Sequence, residues 1–133
     1  MQIERRYTEP GGDPYAGVEF VERTSRIVNP DGSVVFEATL LAPAEWSQVA
    51  IDILAQKYCR KAGVASEVVP VAEPGVPTWL ARSEPAPGAE LGGEDDARQV
   101  FRRLAGCWAY WGWKGGYFSS EADAQTFFDE PEK

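Results

Sequence analysis

Residues 18–40 place two β-favouring runs on either side of a polar break. Val18, Phe20 and Ile27 precede "NPDGS", and Val34, Val35 and Phe36 follow it. Branched and aromatic side chains suit a pleated strand. Pro30 presets a turn dihedral, Asn29 and Asp31 bond to nearby backbone, and Gly32 accepts a positive φ. The pattern predicts a β-hairpin. The period then changes. In "PAEWSQVAIDILAQKYCRKAG", Trp46, Val49, Ala50, Ile53, Leu54 and Tyr58 recur at steps of three and four, flanked by Gln48, Asp52, Gln56 and Lys57. One long amphipathic helix is expected there. Pro43 suits its first turn, Glu45 its positive end, Arg60 and Lys61 its negative end, and Gly63 the position just beyond.

Residues 64–93 follow neither period. Pro70, Pro74, Pro77, Pro85 and Pro87 fall here, and proline removes backbone donors. An extended Pro-rich connection is expected, anchored by Trp79 and Leu80. "EDDARQVFRRLAGCWAYWGW" predicts a second helix, with Glu94, Asp95 and Asp96 in its first turn. Ala97, Val100, Phe101, Leu104, Trp108 and Trp111 make its apolar stripe. Gly106 is a local cost unless another element packs closely against it. Ser120 opens a third helix, with Asp123 in the capping-box position and Phe127 and Phe128 as apolar contacts. Residues 1–16 carry Pro10, Gly11, Gly12 and Pro14 and read as a flexible lead-in. The expected class is α+β: a hairpin, a long helix, an extended connection and two further helices. They form a single domain over 17–130.

Charge and composition narrow the chemistry. Net charge is −8, which weighs against a phosphate-tracking surface, so no nucleic-acid partner is expected. There is no histidine, hence neither the commonest metal ligand nor the commonest general base near neutral pH. Cys59 and Cys107 are far apart and lie in apolar helical patterns. They are expected as buried free thiols, not as a metal site. The carboxylates of "EDD" and "DE" read as solvated helix ends. "GWKGGYF" lacks the spacing of a phosphate loop and follows a helix. A Ser–Lys nucleophile is not excluded by composition. No stretch is apolar enough to span a membrane, and the N-terminus has no secretory h-region, so a reduced cytoplasmic setting is the expectation.

The densest feature is "AGCWAYWGWKGGYF", residues 105–118. On a helix Trp108 and Trp111 share the face of Leu104, while Tyr110 and Trp113 point to another side. Rings then cover most of the circumference, and a helix apolar all round needs cover on all sides. This chain offers little to cover it, so an exposed patch or an absent partner is implied. Trp108, Trp111, Trp113 and Tyr117 are the candidate packing or interface residues. A ligand platform for stacked bases or sugars is the competing reading.

Together "NPDGSVVFE", "WSQVAIDILAQKYCRKAGV" and "RQVFRRLAGCWAYWGWKGGYF…EADAQTFFDE" resemble the N-terminal region of bacterial class II, adenosylcobalamin-dependent ribonucleotide reductases. The resemblance runs in order from about Phe20 to Glu130. It implies a larger enzyme that reduces ribonucleoside diphosphates. There adenosylcobalamin supplies a radical to a cysteine in a ten-stranded α/β barrel, and two more cysteines become a disulfide that a thioredoxin-like donor resets. The matching segment precedes that barrel, and the barrel cysteines are expected to be absent from this chain. Cys59 stands where the family has an aromatic and Cys107 where it has a small residue, so no catalytic residue carries over. The implied partner is the barrel, in cis or in trans, with a homodimer as another arrangement. No cofactor is expected on this chain alone. The alternatives are a stand-alone regulatory or assembly protein and a small aromatic-platform binding module.

Overall fold

The computed structural model describes residues 1–133. It is a mixed α+β structure with strand hairpins and three α-helices. Contacts divide the chain into two compact units. One comprises residues 17–64 and 91–100; the other comprises 1–16, 65–90 and 101–133.

In the first unit, β1 (Phe20–Val28) and β2 (Val34–Pro43) form the expected antiparallel hairpin. The Gly32 N–H donates to the Asn29 carbonyl at 2.9 Å, with Gly32 at φ +87°. Residues alternate between the faces, as a period of two requires. Arg23 and Ser25 lie opposite Leu40 and Ala38 on one face, where Ser25 and Leu40 are buried. The alternate face is wet, and there the Thr24 and Thr39 hydroxyls meet at 3.1 Å.

The next helix is shorter than expected and turned differently. Pro43 ends β2 instead of opening a helix. Ser47 caps α1 (Gln48–Ile53), its Oγ accepting the Ala50 N–H at 3.2 Å, and a π-helical turn follows over Leu54–Tyr58. The Cys59 N–H reaches back five residues to the Leu54 carbonyl, at 3.0 Å. That longer turn sets residue 59 above residue 54, where an unbroken α-helix would set Tyr58. The buried set is Ile51, Leu54, Ala55 and Cys59, the last brought into it by this turn, while Val49, Ile53 and Tyr58 of the predicted stripe face solvent. Polar residues supply hydrogen bonds to the hairpin. Gln48 Nε2 donates to the Thr24 carbonyl at 2.9 Å, and Gln56 Nε2 to the Ser25 hydroxyl at 3.2 Å.

α2 (Ala97–Lys114) starts after the acidic run, not within it. Asp96 Oδ1 accepts the Arg98 N–H at 2.9 Å, and Gln99 Oε1 accepts the Asp96 N–H at 3.1 Å, a reciprocal capping pair. Ala97 and Val100 of its first turn are buried in the first unit.

In the second unit, the stretch expected as an extended connection has local structure. In sequence it is bounded by short strands β3 (Val64–Ala65) and β6 (Leu91–Gly92), of which Val64 and β6 belong to the first unit. Between them β4 (Val68–Pro70) pairs antiparallel with β5 (Ser83–Pro85), and a 3₁₀ turn over Thr78–Leu80 buries Leu80. The rest of α2 and α3 (Glu121–Asp129) complete the unit. Ser120 caps α3 as expected, accepting the Asp123 N–H at 3.2 Å. The segment expected as a flexible lead-in is hydrogen-bonded along α3. The Ile3 N–H donates to Asp123 at 2.7 Å, Arg5 pairs with Asp129 at 2.7 Å, and the Thr8 N–H donates to Glu130 at 2.9 Å. No helix is long and apolar enough to cross a membrane.

Candidate functional site

The site is built on the second half of α2. Its buried residues are the small ones, Ala105 and Ala109. Two glycines extend that face. A Cβ on Gly106 would lie 3.4 Å from Phe128, and one on Gly112 would lie 2.7 Å from Phe118. Phe128 thus packs over Gly106 at a distance that still admits a Cβ, so close packing requires a glycine at 112 and not at 106. Bulk comes from the partner side, where Phe118 packs on Phe127 with ring centroids 5.3 Å apart. Size alone places Leu104, Trp108 and Trp111 inward. The structure turns the helix by one residue and buries 105 and 109. Trp108 and Trp111 are left 45% and 64% exposed, with Tyr117 at 68%.

Tyr110, Trp113 and Lys114 stand three and four apart and so share another side of α2. That side grips the turn Glu73–Val76. Pro74 and Gly75 occupy its centre, Gly75 at φ +78°, and the Val76 N–H returns to the Glu73 carbonyl at 3.2 Å. Trp113 Nε1 donates to the Gly75 carbonyl at 2.7 Å. The Tyr110 hydroxyl donates to Glu73 Oε2 at 2.7 Å and Lys114 Nζ to Oε1 at 2.6 Å. The Lys114 hydrogen bond, then that of Tyr110, holds the Glu73 carboxyl below its ordinary value. Reciprocally, the bond to Glu73 raises both Tyr110 and Lys114. Trp113 is thus half-buried and tied down, unlike the other three candidate residues.

Beside it lies an open cleft whose walls include Pro77, Trp79, Trp113 and Glu121. Trp79 Nε1 donates to Glu121 Oε1 at 2.9 Å, and the Trp79 ring meets Phe128 edge-on at 5.9 Å. Sequence spacing reveals the Tyr110–Trp113–Lys114 face. It does not reveal Glu73, Trp79 or Glu121, which lie from 7 to 41 residues away and meet the face only through folding. The thiols depart from expectation: Cys59 is buried, but Cys107 is exposed, because it follows the Gly106 face and points outward with Trp108. No group of three or more Cys, Asp or Glu side chains is arranged to hold a metal ion.

Residues 21–132 match the family model described as class II vitamin B12-dependent ribonucleotide reductase. The vitamin B12-dependent ribonucleotide reductases of Bradyrhizobium diazoefficiens and Agrobacterium fabrum are 55% and 57% identical over 98% of this chain. That of Streptomyces avermitilis is 32% identical over the same share. The chain spans 11% of the length of each of these relatives. It belongs to the class II vitamin B12-dependent ribonucleotide reductase family, whose N-terminal domain it matches.

Proposed function

We propose that this chain is the accessory N-terminal domain of an adenosylcobalamin-dependent ribonucleoside-diphosphate reductase, and that its task is to dock on the barrel of that enzyme. One observation carries this reading. Trp108, Trp111 and Tyr117 are exposed together, while glycine and alanine fill the buried face of the same helix. Isolated surface apolar residues are ordinary, but adjacent exposed rings mark a contact surface. Trp113 adds the part of its side chain that lines the cleft. Indole and phenol rings bring large area at small entropic cost, which suits the centre of an interface.

The chain has no histidine to ligate a corrinoid's metal, and the half-enclosed recess beside Cys59, at about 200 Å³, is too small to enclose a corrinoid. The cofactor and the radical chemistry belong to the remainder of the enzyme in this reading.

The test is association in trans. This chain and the remainder of the reductase are produced separately, and their binding is measured by calorimetry. A saturable complex that Trp108→Gln with Trp111→Gln weakens about tenfold or more supports docking through these rings. Absence of any complex overturns it, as does self-association of this chain that buries the same rings and leaves the barrel unbound.

A further inference from the structure

We infer that the cleft between Trp79 and Trp113 is a seat for an arginine side chain carried by the docking partner. The inference rests on the docking reading above and specifies its chemistry. Both indole N–H groups are already used, on Glu121 and on the Gly75 carbonyl, at 2.9 and 2.7 Å. With those groups engaged, what either indole can still offer an incoming group is ring carbon surface, whose π face attracts cations. Glu121 supplies a carboxylate at the same wall, with only one oxygen bound by Trp79 and no ion pair of its own. A guanidinium is planar, stacks on rings and can still bond to a carboxylate, which an ammonium does less well.

The chain fills two similar seats with its own cations. Lys114 bonds to Glu73 with Nζ 6.0 Å from the Tyr110 ring centroid. Arg98 bonds to Asp96 at 2.7 Å and lies 4.3 Å over the Phe20 ring. At Trp79, Trp113 and Glu121 the rings and the carboxylate are present and the cation is not. A net charge of −8 attracts a basic segment and repels a phosphate.

The experiment uses the indole N–H signals of the ¹⁵N-labelled chain as reporters. N-acetyl-arginine methylamide is titrated in, with the norleucine analogue and adenosine monophosphate as controls. Saturable shifts of Trp79 and Trp113, with Trp46 still, and an affinity about threefold or more weaker in Glu121→Gln support the seat. No shift at the solubility limit, equal shifts from norleucine or the nucleotide, or indifference to Glu121→Gln overturns it. Barrel association is measured in parallel on the same variant. Barrel binding that persists without an arginine effect removes this inference and leaves docking standing; no barrel binding at all removes the docking reading itself.

Discussion

The Phe118 ring occupies the space that a side chain at Gly112 would need: a Cβ there would lie 2.7 Å from two ring carbons. Alanine is the better helix former by about 1 kcal/mol. Overpacking a close contact costs about 1–3 kcal/mol, so the clash wins. Gly112→Ala is expected to lower stability in urea unfolding. Gly106→Ala is the internal control. Its Cβ would meet Phe128 at 3.4 Å, an ordinary contact, so the propensity gain survives and stability rises or holds. A loss as large at 106 as at 112 would refute this account of the helix face.

The exposed and tied tryptophans should separate in stability. Trp108 and Trp111 are open to solvent, and surface changes usually stay within about 0.5 kcal/mol, so Trp108→Gln and Trp111→Gln should leave the unfolding midpoint nearly unchanged. Trp113→Phe keeps a ring but strands the Gly75 carbonyl, at an expected cost of about 1 kcal/mol. Thermal melts of the three variants measure the contrast. An equal loss in all three would mean that the outer rings are part of the fold.

These variants also mark how far the sequence could be read. The hairpin was legible because "NPDGS" holds every residue its turn uses, and the third helix because Ser120 and Asp123 cap it locally. The faces of the other two helices were not. Ranking side chains by size puts Trp108 inside, yet which side is buried depends on Phe118 and Phe128 filling the space from across the fold. In the first unit the π turn after Ile53 shifts the register by a residue, and no local pattern announces it. Polar Gln48 and Gln56 then bond to a hairpin that buries Ser25 beside Leu40, so an apolar pattern alone misses part of that contact. The Glu73–Tyr110 and Glu121–Trp79 pairs depend on separations of 37 and 42 residues.

Two carboxylates should move stability in opposite directions with pH. Lys114, then Tyr110, hydrogen-bonds to Glu73 and lowers its pKa from 4.5. A lowered carboxyl lends stability above its ordinary value and loses it as pH falls through the folded value. Glu73→Gln should therefore melt earlier than the parent at pH 7, and the gap should close in acid. Glu132 is the converse. Its side chain is fully enclosed, and burial raises it above 4.5 against the opposing pulls of Tyr15 and of Arg102 at 3.7 Å. Its stabilising protonated form is complete below about pH 4.5 and is lost as pH rises through the folded value. Glu132→Gln should melt later than the parent at pH 7 and lose that advantage in acid. Melting temperatures from pH 3 to 8 decide both, and parallel curves for parent and variant would contradict the assignment.

The thiols should react in two separate phases. Cys107 is exposed on the outer side of α2, whereas Cys59 sits in the buried row that the π turn creates with Leu54. Reaction needs access and a thiolate, and a buried structural thiol has little of either. With a chromogenic disulfide reagent the native chain should release one equivalent promptly. The second should appear only at the rate of opening, and at once in denaturant. Cys107→Ser should abolish the first phase without changing the second. If Cys59 instead reacted promptly, the Cys59–Leu54 turn would have to open readily, and the buried face given to α1 would be wrong.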